Sequence, residues 1–306
     1  MYTFIVNPQA RSGLGQKVWT ELEKILKRRA ISYQVFFTRY QKHATAIAEE
    51  ITSDGNEHIL IALGGDGTVN EVVNGIADYE NTIFGYIPIG SSNDFARGLN
   101  LPSDPVAALE TVLAMKKFHF MNVGMIKYQN KIRKFAVSAG MGFDAAICHE
   151  AVVSRLKYLL NKLKLGKLTY VGIALHRLFL QKPDEVTLTL DGTRKITFPA
   201  TYFVAIMNNK YEGGGFMFTP HAKNDDDKLD IMVASGIPKW KILMMLPTAY
   251  QGNHTRFKGV YIYSAKHIKV ESGIPLAIHC DGEPIFLQRE ISASCAKTKL
   301  RVIVEN

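Results

Sequence analysis

Cysteine is scarce in these 306 residues, and its spacing removes two classes of protein at once. Cys148, Cys280 and Cys295 form no CxxC pair and cannot all join in disulfides, which argues against both a disulfide-stapled scaffold and a cysteine zinc site. Histidine supplies no zinc site in their place, because His149, His221, His254 and His279 lack HExxH or HxxxH partners. No run approaches the roughly 20 uncharged residues of a membrane-spanning helix. The N-terminal stretch Met1 to Asn7 has neither a basic n-region nor a long apolar core, so it reads as a first strand and not as a signal peptide. There is no internal repeat, low-complexity tract or Pro-rich linker. Nucleic acid is disfavoured too, since neither a recognition helix nor a base-stacking motif is visible. The expectation is a cytoplasmic globular protein, at most peripherally associated with a membrane, with no stable protein partner.

With 47% apolar residues the chain can bury a sizeable core, and its length leans toward two domains. The net charge of +9 asks for an anionic partner without choosing between nucleic acid, membrane and phosphate-rich ligands. The first third alternates strand-like and helix-like segments, the pattern of an α/β domain with a mainly parallel sheet. Strands are expected at 2–7, 32–38, 58–63 and 83–89, with helices at 15–29, 42–52 and 69–77 between them. From 131 onward strand-like runs dominate, punctuated by Asp191-Gly192 and Ser272-Gly273 as turns, which predicts an antiparallel β domain. Helical segments at 143–180 and 238–250 interrupt it. The predicted boundaries are 1–125 for the first domain and 126–289 for the second, with the tail from about 290 to 306 returning to the first.

Chemistry concentrates at Gly64-Gly65-Asp66-Gly67-Thr68, between the apolar run Ile59 to Leu63 and a helix-like stretch from Val69. Strand, glycine turn and helix in that order bring main-chain N–H groups and a helix N-terminus close to negative charge. Asp66 is the informative member, because a carboxylate beside phosphates is repulsive unless a divalent cation lies between them or it orients a hydroxyl. Two further segments join strands to helices in the same way: Asn7-Pro8-Gln9-Ala10-Arg11-Ser12-Gly13 and Gly90-Ser91-Ser92-Asn93-Asp94-Phe95-Ala96-Arg97. In the second, helix capping by Ser92 or Asn93 is the simpler alternative. Asp281-Gly282-Glu283-Pro284 has strong turn chemistry, and such a turn can also present an acid.

Together with Gly213-Gly214-Gly215, these motifs resemble, in order and from end to end, the bacterial lipid kinases with a diacylglycerol-kinase catalytic domain. The resemblance implies an ATP site in a cleft between an α/β domain similar to that of NAD kinases and a C-terminal β-sandwich. It places Asn7, Ser12, Gly13, Thr38, Gly64, Gly65, Asp66, Gly67, Thr68, Val69, Asn70 and Ser91 at ATP. Asp66 and Asp94 act through Mg or nearby polar networks, and Glu283 serves as general base to the acceptor hydroxyl. It further implies a structural Mg held by Asp226 and the carbonyls of Lys223 and Lys228, and the possibility of a homodimer. Two positions depart from the family pattern: Asp227 replaces the usual glycine, and Asn122 the usual aspartate of the metal network.

The acceptor expected is diacylglycerol or a related lipid at an anionic membrane surface. Segment 151–182 interleaves Arg155, Lys157, Lys162, Lys164, Lys167, Arg177 and Lys182 with apolar residues, which suits either anionic headgroups or two amphipathic helices packed on their own domain. The other readings are a kinase for a soluble acceptor such as NAD, and a non-catalytic nucleotide- or lipid-binding regulator.

Overall fold

The computed structural model describes residues 1–142 and 182–305, whose strands form two sheets. Segment 143–180, with most of the basic stretch 151–182 and Cys148, lies outside the described residues.

The first sheet holds β1 (Tyr2–Val6), β2 (Tyr33–Phe37), β3 (His58–Gly64), β4 (Thr82–Pro88), β5 (Lys117–Met121) and the C-terminal β15 (Leu300–Val304), in the order β2-β1-β3-β4-β15-β5. Every neighbouring pair is parallel except β15 with β5. The connections carry α1 (Ala10–Arg28), α2 (His43–Thr52), α3 (Asp66–Gly75), α4 (Asp94–Gly98) and α5 (Pro105–Ala114). Helices on both faces explain why β3 reads as a continuous apolar run: Leu60 and Ala62 pack with Ile47 of α2 and Val72 of α3, whereas Ile61 and Leu63 pack with Leu22 of α1 and Leu109 of α5. The adjacent C-terminal ends of β3 and β4 therefore open on the same edge, where such sheets bind ligands.

The second sheet is antiparallel throughout and comprises β6 (Gly124–Tyr128), β7 (Lys131–Phe135), β8 (Ser138–Gly142), β9 (Asp184–Leu190), β10 (Arg194–Met207), β11 (Leu229–Ser235), β12 (Val260–Ala265), β13 (His267–Cys280) and β14 (Glu283–Cys295). The long strands β10 and β13 share β9 at one end and β8 at the other, which folds the sheet around its own apolar core. Helix α6 (Lys239–Ala249) packs on β10 and β11 through Ile242 and Met245. Strand β14 stays in this sheet through Cys295, and the chain crosses back only afterwards. Ala136 and Val137, between β7 and β8, are buried in the same cluster as α3 and Met121, so one apolar core continues across the junction of the two sheets.

The α/β domain followed by an antiparallel β domain matches the fold class read from the pattern, and Asp191-Gly192 is a turn with both residues at positive φ. Ser272-Gly273 is not a turn. It lies inside β13, where the register shifts between Glu271 and Leu276, and Asp184 of β9 keeps the strand running by accepting from Ile274 N–H at 3.0 Å.

Candidate active site

Gly65 and Gly90, at the ends of β3 and β4, approach backbone to backbone. A Cβ on Gly90 would lie 2.8 Å from Gly65 Cα and 2.6 Å from Asn93 Oδ1, so neither the contact nor the turn admits a side chain. Their loops open into a cavity of about 410 Å³. One wall is Gly65, Asp66, Gly67 and Thr68; another is Gly90, Ser91 and Ser92; Asn7, Ala10 and Arg11 close a third side, and Glu283 faces them from the β domain. A Cβ on Gly67 would stand 3.6 Å from Glu283 Oε1, which measures how nearly the carboxylate touches the glycine turn. Asp281 and Gly282, both at positive φ, make the tight turn between β13 and β14 that delivers Glu283 to this position.

Near its start α1 is interrupted by a kink, where Arg11, Ser12 and Gly13 follow one another at positive φ. For Arg11 and Ser12 that conformation costs about 1–2 kcal/mol each, strain of the kind that clusters at ligand clamps. Asn7 ties the start of α1 to the glycine turn, donating to Thr68 Oγ1 at 3.3 Å while its own oxygen accepts from Gln9 N–H.

Asp66 lines the cavity, whereas Asp94, predicted beside it, is buried behind the lining, close enough for its charge to act on Asp66. Burial pushes the Asp66 carboxyl up to about 6, with the charges of Asp94 and Asp281 adding to the effect and the N–H of Phe95, donated at 3.1 Å, opposing it. Burial raises Asp94 as well, against the N–H of Gly214 at 2.7 Å and the nearby Arg97. Asp94 Oδ1 is buried without a hydrogen-bond partner, its nearest cation being Arg97 Nε at 3.5 Å. Two crowded carboxylates with one oxygen left over fit a small divalent cation. No three acidic, His or Cys side chains gather into a metal cage among the described residues, and two carboxylates completed by phosphate oxygens and water is the manner of Mg.

Several residues predicted at ATP do not line the cavity. Ser12 and Gly13 belong to the kink of α1 beside it, Thr38 follows β2, and Val69 is core. Gly64 packs under the side chain of Thr68. Asn70 is buried and its amide serves the domain junction, donating to Asp281 Oδ2 at 2.8 Å and to the Lys134 carbonyl at 3.2 Å. Asn93 precedes α4 without capping it; its amide donates to the Gly90 carbonyl instead.

Asp281 is the residue whose role the sequence did not reveal. Besides Asn70, its carboxylate accepts from Ala136 N–H at 2.9 Å, Val137 N–H at 2.8 Å and Ser138 N–H at 2.9 Å. Only the Asp-Gly turn marked it. Glu71, also unpredicted, lines the cavity with a carboxylate spent on Lys42 N–H and Ala44 N–H at the start of α2.

The predicted structural-metal loop lies elsewhere, beside β5 and β15. Asp226 Oδ1 accepts from Lys228 N–H at 3.1 Å, and the ammonium of Lys299 reaches the Asp225 carbonyl at 2.7 Å and Asp227 Oδ1 at 2.9 Å. Lys299 thus balances the charge of Asp227 on this loop.

Comparison with known proteins agrees with this geometry. A family model described as the diacylglycerol kinase catalytic domain matches residues 1–126, and one described as the YegS C-terminal NAD kinase beta sandwich-like domain matches residues 137–304. The chain belongs to the diacylglycerol-kinase-like family of lipid kinases. It is a kinase. Among the relatives of this lipid kinase is YtlR of Bacillus subtilis (strain 168), which carries a lipid-kinase name and is 30% identical over 92% of each chain. A crystal structure from Bacillus anthracis (strain Sterne), named for a diacylglycerol kinase, superposes with a TM-score of 0.78 at 24% identity, covering 99% of this chain and 95% of that one. An NAD kinase from Archaeoglobus fulgidus in complex with ATP shares the fold at a TM-score of 0.53 and 11% identity, covering 99% of this chain and 93% of that one.

Proposed function

We propose that the enzyme transfers the γ-phosphoryl group of ATP to a hydroxyl of diacylglycerol or a closely related lipid, with Mg accompanying the nucleotide. The observation that carries this reading is Glu283, brought by the second sheet to within touching distance of the glycine turn of the first. In that arrangement the main-chain N–H groups of Gly65 to Gly67, at the N-terminus of α3, would face the phosphate chain, while the Thr68 N–H closes the turn on the Gly65 carbonyl at 2.9 Å. Asp66 and Asp94 would hold Mg, which supplies charge neutralisation to the triphosphate when bound. Glu283 orients the acceptor hydroxyl and takes its proton as the hydroxyl oxygen bonds to the γ-phosphorus and the bond to the β-phosphate oxygen breaks, leaving ADP. A lipid acceptor also favours a peripheral position at an anionic membrane surface. Among the described residues no helix is long and apolar enough to cross a membrane.

The test is a γ-labelled ATP assay with Mg against diacylglycerol in mixed micelles and, separately, against NAD. Label in phosphatidic acid supports the proposal, label in NAD transfers the chain to a soluble acceptor, and label in neither rejects both. Glu283→Gln is expected to lower kcat by roughly 10²–10⁴-fold with little change in the KM for ATP, since the side chain acts on the acceptor. A variant with undiminished turnover removes Glu283 from the chemistry.

A further inference from the structure

Helix α6 has two apolar faces, and only one is packed. Ile242, Met245 and Ala249 are buried on the β domain. Trp240, Met244 and Pro247 follow a spacing of four and three residues and form a second stripe along the helix. Trp240 is 63% exposed and Met244 65% exposed, where a surface helix ordinarily carries polar side chains.

The segment that carries this stripe holds charge of one sign. From Ile231 to Val270 there is no aspartate or glutamate, although the chain contains 28 acidic residues. Lys239 and Lys241 belong to the helix itself. Arg256 ends the short 3₁₀ turn Asn253–Arg256 that packs against it, and Lys258 follows. An indole and a thioether set among basic residues suit an anionic bilayer surface, where apolar groups enter the headgroup boundary and cations meet lipid phosphates.

The C-terminal end of α6 is linked to Asp94 through a chain of contacts. Tyr250, one residue past α6, stacks on Phe216 at 4.1 Å. Phe216 follows the glycine loop whose Gly214 N–H donates to Asp94. We propose that the exposed face of α6 docks on anionic lipid bilayers, with Trp240 and Met244 entering the headgroup layer. This rests on the lipid-acceptor reading and names the surface through which the enzyme meets its substrate.

The chain carries its own reporter, because its two tryptophans differ so sharply in environment: Trp19 is 2% exposed in the core of the first domain, and Trp240 faces water. The experiment mixes the full-length protein, without ATP, with vesicles of phosphatidylcholine alone or with phosphatidylglycerol added. Tryptophan emission is expected to shift to the blue and to be quenched by brominated acyl chains on the anionic vesicles only. Trp240→Phe should lose that signal yet still co-sediment. The double variant Trp240→Ser/Met244→Ser should bind at least about tenfold more weakly. Each of Lys241→Gln and Lys258→Gln should cost about fivefold, in proportion to their charge at the surface.

The proposal is overturned if the protein ignores anionic vesicles, if it binds them with Trp240 emission unmoved, or if the double variant sediments like the parent. A double variant that instead loses self-association in vesicle-free ultracentrifugation would assign the stripe to a second copy of the chain, and overturn it equally. Turnover separates the two readings: the double variant should phosphorylate a short-chain, water-dispersed diglyceride as fast as the parent and lose activity only on vesicles. If the parent labels neither diglyceride, the diacylglycerol-acceptor reading fails while the vesicle result stands by itself.

Discussion

Asn122 and Asp227 hold each other by two hydrogen bonds. With its amide oriented to satisfy both partners, Asn122 donates to Asp227 Oδ1 at 3.0 Å and accepts from Asp227 N–H at 2.9 Å. These are the two positions that the resemblance singled out as departures, and the structure makes them one feature. The amide that cannot supply a metal ligand's charge is the partner a carboxylate at 227 requires. Lys299 neutralises that carboxylate, and the pair fixes Asp227 at its φ of +62°.

Asn122→Asp is therefore expected to destabilise the protein by about 2–4 kcal/mol, because Asn122 is buried and a second carboxylate there would face the first. Adding Asp227→Gly should recover much of the loss, giving a coupling of about 1–3 kcal/mol. Urea unfolding of the two single variants and the double variant measures it. Strictly additive effects would show that the two side chains are independent.

Asn70 and Asp281 tie α3 to the turn that presents Glu283. Asn70→Ala should lower stability by about 1–3 kcal/mol and reduce kcat more than it raises the KM for ATP, since it loosens the acid and leaves the cavity wall in place. Steady-state kinetics with ATP varied checks the split. An increase confined to the KM for ATP would return Asn70 to the nucleotide.

Asp66 makes the nucleotide-free protein sensitive to pH. Its carboxyl titrates at about 6 when folded, against 3.8 for the ordinary group, so the folded state favours the protonated form. That contribution is fully present below about pH 4 and is lost as pH rises through about 6, an effect of about 3 kcal/mol. Asp66→Asn should accordingly gain stability relative to the parent between pH 4 and pH 7. Denaturant titrations across that range test it, and a constant difference would show that burial does not govern the group. Saturating Mg-ATP should diminish the gain by stabilising the ionised carboxylate.

Gly90→Ala is expected to abolish turnover while leaving the rest of the fold intact, because its Cβ forces apart the two strand-end loops that shape the cavity. Circular dichroism with a nucleotide-binding assay separates the two effects. Normal ATP affinity would mean that the loops yield without moving the site.

The first sheet was legible because its information is local. The apolar run Ile59 to Leu63 needs only burial on both faces to become a strand, and the glycines that follow needed no partner to announce a turn. The turn read at Ser272-Gly273 failed for the opposite reason. Asp184, remote in sequence, holds that backbone extended through Ile274. Asn70 shows the same limit: its place in the motif put it at the nucleotide, and its contact with Asp281 was invisible until the sheets met.

By itself the chain determined its two kinds of sheet, its glycine turn and the set of acids available, since periodicity and backbone conformation act over a few residues. Tertiary structure alone decided which acids share a cavity, which are consumed at the domain junction, and that Asn122 answers Asp227. Those outcomes depend on electrostatics and hydrogen bonding between groups far apart in sequence, brought within about 3 Å only when the second sheet closes on the first.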